Sequence, residues 1–222
     1  MSETITRRSP IHERSAARRG EMVVAAEMLV PQRLASAHVE AAAIAELALC
    51  DLSFLPKLGL KGRGCADWLG AAGISVPTET YATADLDDGG LVVRLPGNEF
   101  LLESGPSAEV VPRLAALEVA EDDVFRVPRQ EATLVLIGRR AEEVLAQTCG
   151  INFAVAAADR VVLTRVAGVS CTIWFQRRDG VPSYRMWVDY TYAAYLWDVL
   201  EEIGGELGGA VVGAAAVSPE LG

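Results

Sequence analysis

Histidine is almost missing from this chain. His12 and His38 are the only two in 222 residues. Neither stands near a nucleophile in the pattern, so no Ser–His–Asp set can be drawn. Ser53, in CDLSFL, is not in a nucleophile elbow. The four cysteines, Cys50, Cys65, Cys149 and Cys171, are widely spaced and form no CxxC. They read as free thiols of a reducing cytosol, and a metal site is not expected. No GxGxxG and no GxxxxGK[ST] occurs, which removes the usual nucleotide-binding loops. No apolar run reaches the roughly 18 residues that a membrane helix needs. No apolar stretch near the N-terminus resembles a signal peptide, so a cytoplasmic protein is expected.

Positive charge is also short. The net charge is −10, which repels phosphate and argues against nucleic acid as a partner. Residues 1–20 run the other way, with Arg7, Arg8, Arg14, Arg18 and Arg19. This basic arm is either solvated and mobile or docked on an acidic surface of another subunit.

What is present is a repeat. Residues 58–74 read LGLKGRGCADWLGAAGI and residues 134–151 read LVLIGRRAEEVLAQTCGI. Gly62 and Gly138, Arg63 and Arg139, and Leu69 and Leu145 are each 76 positions apart. Each copy is an apolar strand, a Gly-Arg turn and a helix, followed by two β-like runs and another helix. Self-similarity at this period sets the fold. It predicts an α+β protein of two related β-α-β-β-α halves. The expected organisation is the arm at 1–20, a first half at 21–120, a second half at 121–204, and a Gly/Ala-rich tail at 205–222. The tail is expected to be disordered or a strap over a neighbour.

Two hairpins are expected. Gly97-Asn98 as a two-residue turn would pair Leu95 with Phe100 and Val93 with Leu102, making one apolar face. Asp179-Gly180 would pair Phe175 with Tyr184, Ile173 with Met186 and Cys171 with Val188. That register places Trp174, Arg185 and Trp187 together on the opposite face. Trp and Arg are common anchors of interfaces, so this cluster is the candidate site. Packing between halves, contact with a partner subunit, and a small-molecule pocket all remain open. Residues 191–203 should form a helix with Tyr192, Leu196, Val199 and Ile203 on its apolar stripe. Asp85, Asp87 and Asp88 are a solvated loop or carboxylates for a substrate amine or pterin ring. No catalytic residue is expected.

The residues resemble a known family. RRSPIHE near the N-terminus is similar to the opening of glycine-cleavage T-protein-like chains. LCDLSFLPKLGLKGRGCADWL is similar to a block of that folate-binding superfamily through Asp51, Ser53, Lys57, Gly62, Ala66 and Leu69. GRRAEEVLAQTCGINF and YAAYLWDVLEEIGGELGG resemble the small γ subunit of heterotetrameric sarcosine oxidase. The resemblance implies a T-protein-like fold and a non-catalytic subunit. It also implies larger partner subunits that carry FAD, FMN, NAD and tetrahydrofolate, with no cofactor in this chain. The Asp pair that follows Gly-Gly in T-proteins is missing here, since Gly89-Gly90 runs straight into LVVRL. The Gly-Tyr-Thr-Gly-Glu block is also absent. A stand-alone tetrahydrofolate-binding protein serving a demethylase is the alternative.

Overall fold

The computed structural model describes residues 5–153, 160–178, 180–218 and 221. Two compact units are found. One comprises residues 55–130 and 159–161, and the other 1–54, 131–158 and 162–222.

The smaller unit runs β4 (Lys57–Lys61), α3 (Cys65–Ala71), β5 (Thr83–Asp85), β6 (Leu91–Leu95), β7 (Glu99–Glu103), α4 (Val110–Ala116) and β8 (Phe125–Val127). Its antiparallel sheet has the order β5-β6-β7-β4-β8. Alternation puts Leu58, Leu60, Val92, Phe100 and Leu102 on one face, where α3 covers them with Trp68 and Leu69 and α4 with Val111 and Leu114.

The larger unit opens with α1 (His12–Ala16), the hairpin of β1 (Glu21–Ala25) and β2 (Met28–Arg33), α2 (Ala37–Glu46) and β3 (Ala48–Asp51). It resumes with β9 (Ala132–Ile137), α5 (Ala141–Thr148), β10 (Val161–Val166), β11 (Val169–Arg178), β12 (Val181–Val188) and α6 (Tyr190–Glu206). It ends in β13 (Ala210–Val211) and α7 (Ala214–Val217). The main sheet has the order β10-β11-β12-β9-β3-β13. Leu134, Leu136, Ile173, Tyr184 and Met186 face a core closed by α5 and α6.

The duplication is therefore built into the topology. β5-β6-β7-β4 and β10-β11-β12-β9 follow one plan, each with a helix after its first strand and another after its last hairpin. Each copy has one strand more than the repeat predicted, because β5 and β10 precede the hairpins. The chain does not divide at residue 120. β3 lies in the expected first half, yet it pairs antiparallel with β9 through Leu49–Leu136. It fills the place that β8 holds beside β4 in the smaller unit.

The two hairpins differ in outcome. In the second, the register is as expected, with Phe175 opposite Tyr184 and Trp174 opposite Arg185. Its turn residue Asp179 lies outside the described residues. Pro182 does not break the pairing: it sits opposite Arg177, and its carbonyl accepts from the Gly138 amide at 3.0 Å. In the first hairpin the register is shifted by one. Leu95 opposes Glu99, Arg94 opposes Phe100 and Val92 opposes Leu102. Pro96 joins Gly97 and Asn98 in the turn, and both of the latter have positive φ, 74° and 57°. A one-residue slip exchanges the faces. Val92 therefore joins Phe100 in the core, and the Arg94 guanidinium lies 5.3 Å from the Phe100 ring centre.

The ends of the chain belong to the larger unit. The arm docks on α6 of this same chain. Arg14 makes a two-pronged pair with Asp198 at 2.5 and 2.6 Å, and Arg18 pairs with Glu201. The described part of the tail folds onto this unit. β13 pairs with β3, and the Gly213 amide donates to Glu40 at 2.9 Å. On α6 the apolar stripe is Ala193, Leu196, Trp197 and Leu200, so Leu196 lies in it as expected. Tyr192, expected there too, is 56% exposed. Asp189 caps this helix by accepting from the Thr191 amide at 2.9 Å.

Candidate functional site

The block around Asp51 forms a buried polar knot. Asp51 ends β3, and its two carboxylate oxygens accept from the Ser9 hydroxyl at 2.5 Å and the Ser53 amide at 2.9 Å. The Ser53 hydroxyl accepts from the Thr133 amide at 3.1 Å, which ties the turn after β3 to β9. The RRSPIHE and DLS segments thus meet through Ser9 and Asp51. Lys57, at the start of β4, donates to the Leu55 carbonyl at 3.0 Å and lies 3.4 Å from Glu103. Both charges of that pair are buried, with side chains 3% and 0% exposed. These motif residues hold backbone segments together.

The Asp85–Asp88 loop divides in the same way. Asp85 and Asp87 are exposed. Asp88 accepts from the Gly90 amide and from the Val110 amide at the start of α4, each at 3.0 Å. Burial pushes this carboxyl up. Hydrogen bonds from Val110, Gly105, Ser104 and Gly90 outweigh burial and hold it below the usual range. The acceptor capacity of Asp88 goes to the fold.

Trp174, Arg185 and Trp187 do come together, on the face of the β11–β12 pair away from the core of that unit. Arg185 lies opposite Trp174, with its guanidinium carbon 5.4 Å from the indole ring centre, a cation–π contact. Trp187 lies between Thr172 and Thr133 on the neighbouring strands. All three are buried, at 6%, 6% and 3% exposure. The Trp174 indole N–H is buried without an acceptor among the described residues, which costs stability unless something meets it. The cluster is not an open patch on the surface of this chain.

Other groups were invisible in the pattern. Glu40, on the Ala-rich α2, is 1% exposed and accepts from the Leu34 and Gly213 amides at 2.8 and 2.9 Å. Nothing in AHVEAAAIAE marks it as different from a solvated glutamate. Tyr184 stacks on Phe175 with ring centres 5.0 Å apart and donates to Glu142 at 2.9 Å. Burial first, then that hydrogen bond, pushes its ionisation far up. The four cysteines are free, and burial pushes the Cys171 thiol up to about 12. Among the described residues no group of His, Cys, Asp and Glu could hold a metal ion. No helix among them is long and apolar enough to cross a membrane.

No protein-family model and no curated protein sequence matches the chain. Solved structures do. The glycine cleavage system aminomethyltransferase T from Bartonella henselae aligns with a TM-score of 0.73 and 18% identity, over 95% of this chain. This chain spans only 60% of that protein's length. A chain of the heterotetrameric sarcosine oxidase from Corynebacterium sp. U-96, solved with pyrrole 2-carboxylate, aligns with a TM-score of 0.65 and 21% identity. There 92% of this chain covers 97% of that one. At these identities the likeness is one of fold: this α+β chain has the fold of the aligned part of the aminomethyltransferase T.

Proposed function

We propose that this chain is a non-catalytic, γ-type subunit of a heteromeric sarcosine-oxidase-type complex. The complex would oxidise an N-methyl amino acid or amine and pass the one-carbon unit to tetrahydrofolate. Larger partner subunits would carry the flavins, NAD and folate. The observation that carries this reading is the end-to-end match to one chain of a heterotetrameric oxidase, of about this chain's own length. The polar motifs point the same way. Asp51, Ser53 and Asp88 spend their hydrogen bonds on the backbone and on Ser9. Purification from the native host tests the reading. A complex with flavin absorbance and N-methyl amine oxidase activity is expected. Recovery of the chain alone, with no flavin-containing partner, would sink it.

The second reading is a stand-alone tetrahydrofolate-binding protein serving a demethylase. It is favoured by the higher TM-score with the aminomethyltransferase. Isothermal titration of the isolated chain with tetrahydrofolate separates the two, since micromolar binding supports only this second reading.

A further inference from the structure

Among the described residues no strand pairs with the far side of β8, the edge strand of the smaller unit's sheet. Its counterpart in the larger unit, β3, is not at an edge, because β13 lies beyond it. The correspondence runs residue by residue. Leu60 and Leu136 each stand two places before the glycine that ends their strand, Gly62 or Gly138. Arg126 lies opposite Leu60, and Leu49 lies opposite Leu136. Arg126 therefore matches Leu49, Phe125 matches Ala48, and Val124 matches Leu47. The same count matches Asp123 with Glu46, whose carbonyls are the ones that press on Gly62 and Gly138.

The backbone groups at this edge have a use in one copy only. The Gly62 amide donates to Asn98, so alternation turns the amide and carbonyl of Leu60 toward β7 as well. Arg126, opposite Leu60, then turns its own amide and carbonyl away from β4, and the Val124 carbonyl points the same way. In the larger unit the matching carbonyls are occupied. Those of Leu47 and Leu49 accept from the amides of Ala210 and Val212, at 3.1 and 3.0 Å, and β13 runs parallel to β3.

The side chains agree. Among the described residues the smaller unit exposes two large apolar side chains, Leu117 at 39% and Phe125 at 59%. Both border β8. Arg126 faces the helices, with its guanidinium 6.0 Å from the Trp68 ring centre, and donates to the Leu117 carbonyl. Leu117 thus flanks the strand on that face, and Phe125 points to the other by alternation. Ala48, which matches Phe125, is fully buried.

We propose that the β8 edge receives an extended, small-aliphatic segment of a partner polypeptide, running parallel to β8 as β13 runs beside β3. The amides of the segment donate to the Val124 and Arg126 carbonyls, and Leu117 and Phe125 cover its two faces. Main-chain pairing at an exposed sheet edge is a common way to hold an extended peptide. The chemistry of the occupant is that of the segment held at the matching edge, which reads GAVVG over residues 209–213. This surface goes beyond the subunit reading, which names no contact face.

The probe is a capped peptide with the sequence of residues 207–214, LGGAVVGA, titrated into the full chain and followed by amide NMR and hydrogen exchange. Saturable shifts at residues 123–127 are expected, together with slower exchange of the Arg126 amide. The same peptide with proline at its fourth and sixth residues lacks both donating amides and should not bind. Phe125→Ala changes an exposed side chain, so it should fold, and it should weaken binding about fivefold or more, the scale of an interface anchor. The proposal is overturned if the first peptide does not saturate the chain, or if its shifts fall at residues 47–51 instead, where it would be displacing the tail. It is also overturned if the proline peptide binds as tightly, or if Phe125→Ala binds as the wild type does. Co-purification tests the subunit reading separately, so each can fail without the other.

Discussion

Gly62 and Gly138 occupy one structural position twice. Each follows the first strand of its copy, with φ of +136° and +128°. Each amide donates across the sheet, Gly62 to Asn98 at 3.1 Å and Gly138 to Pro182 at 3.0 Å. Each carbonyl accepts from the residue three further on, Cys65 or Ala141. A Cβ at either place would run into a backbone carbonyl, that of Asp123 at 1.9 Å or that of Glu46 at 2.4 Å. Alanine at either position should therefore destabilise the chain by about 2 kcal/mol or more, combining an unfavourable φ with a close approach to rigid backbone. Urea denaturation of Gly62→Ala and Gly138→Ala checks this. Similar large losses are expected at both sites, and a tolerated alanine at either would break the equivalence.

The Ser9–Asp51 bond fastens the arm to the end of β3. Removing the hydroxyl leaves a buried carboxylate one donor short. Ser9→Ala should cost about 1.5–3 kcal/mol, the range for hydrogen bonds to charged groups. Asp51→Ala should cost more, because the Ser53 amide loses its acceptor as well. Hydrogen exchange at residues 9–16 should quicken in both variants. Unchanged exchange there would mean that the arm is held by other contacts.

The repeat was legible because its signals are local. A glycine forced to positive φ, a buried leucine seven residues later and a strand before both are written in one short stretch of chain. Leu69 and Leu145 are 0% and 1% exposed, as their shared spacing required. The register of the second hairpin followed from placing a two-residue turn at 179–180. The first hairpin misled because Pro96 can stand in the strand or in the turn, and a shift of one residue exchanges the faces. The joining of β3 to β9 was not legible. Strand pairing across some 80 residues leaves no periodic trace. The candidate cluster was placed correctly by register, but pattern alone does not tell a solvent-facing second face from a buried one. Trp174 and Trp187 look the same in either case.

Burial of that cluster sets the outcome for Trp187→Ala. If the indole anchored a partner, truncation would lower assembly and leave the melting temperature of the isolated chain alone. At 3% exposure within this chain, truncation instead opens a large void. The expected loss is about 3–5 kcal/mol, typical of Trp→Ala in a core. Thermal unfolding of the isolated chain reads this directly, and a melting temperature within a degree of wild type would contradict it.

The Arg14–Asp198 pair makes arm docking sensitive to pH. The hydrogen bond from Arg14, then its charge, holds the Asp198 carboxyl below its ordinary value, against a weaker upward push from burial. An acid depressed on folding contributes stability that is complete above its unfolded pKa, about 3.9, and fades as pH falls through the lower folded value. The carboxylate side chain is 54% exposed, so solvent screening limits the pair to about 0.2–1 kcal/mol. Global stability should thus change little between pH 6 and pH 3 on this account, while local exchange of α1, corrected for intrinsic rate, should rise. Added salt at pH 6 should act in the same direction. Arg14→Asp should loosen α1 at neutral pH, and Asp198→Arg in the same chain should restore protection. Failure of the double reversal to restore it would show that the helix is held by Ile11 burial and Ser9 rather than by this charge pair.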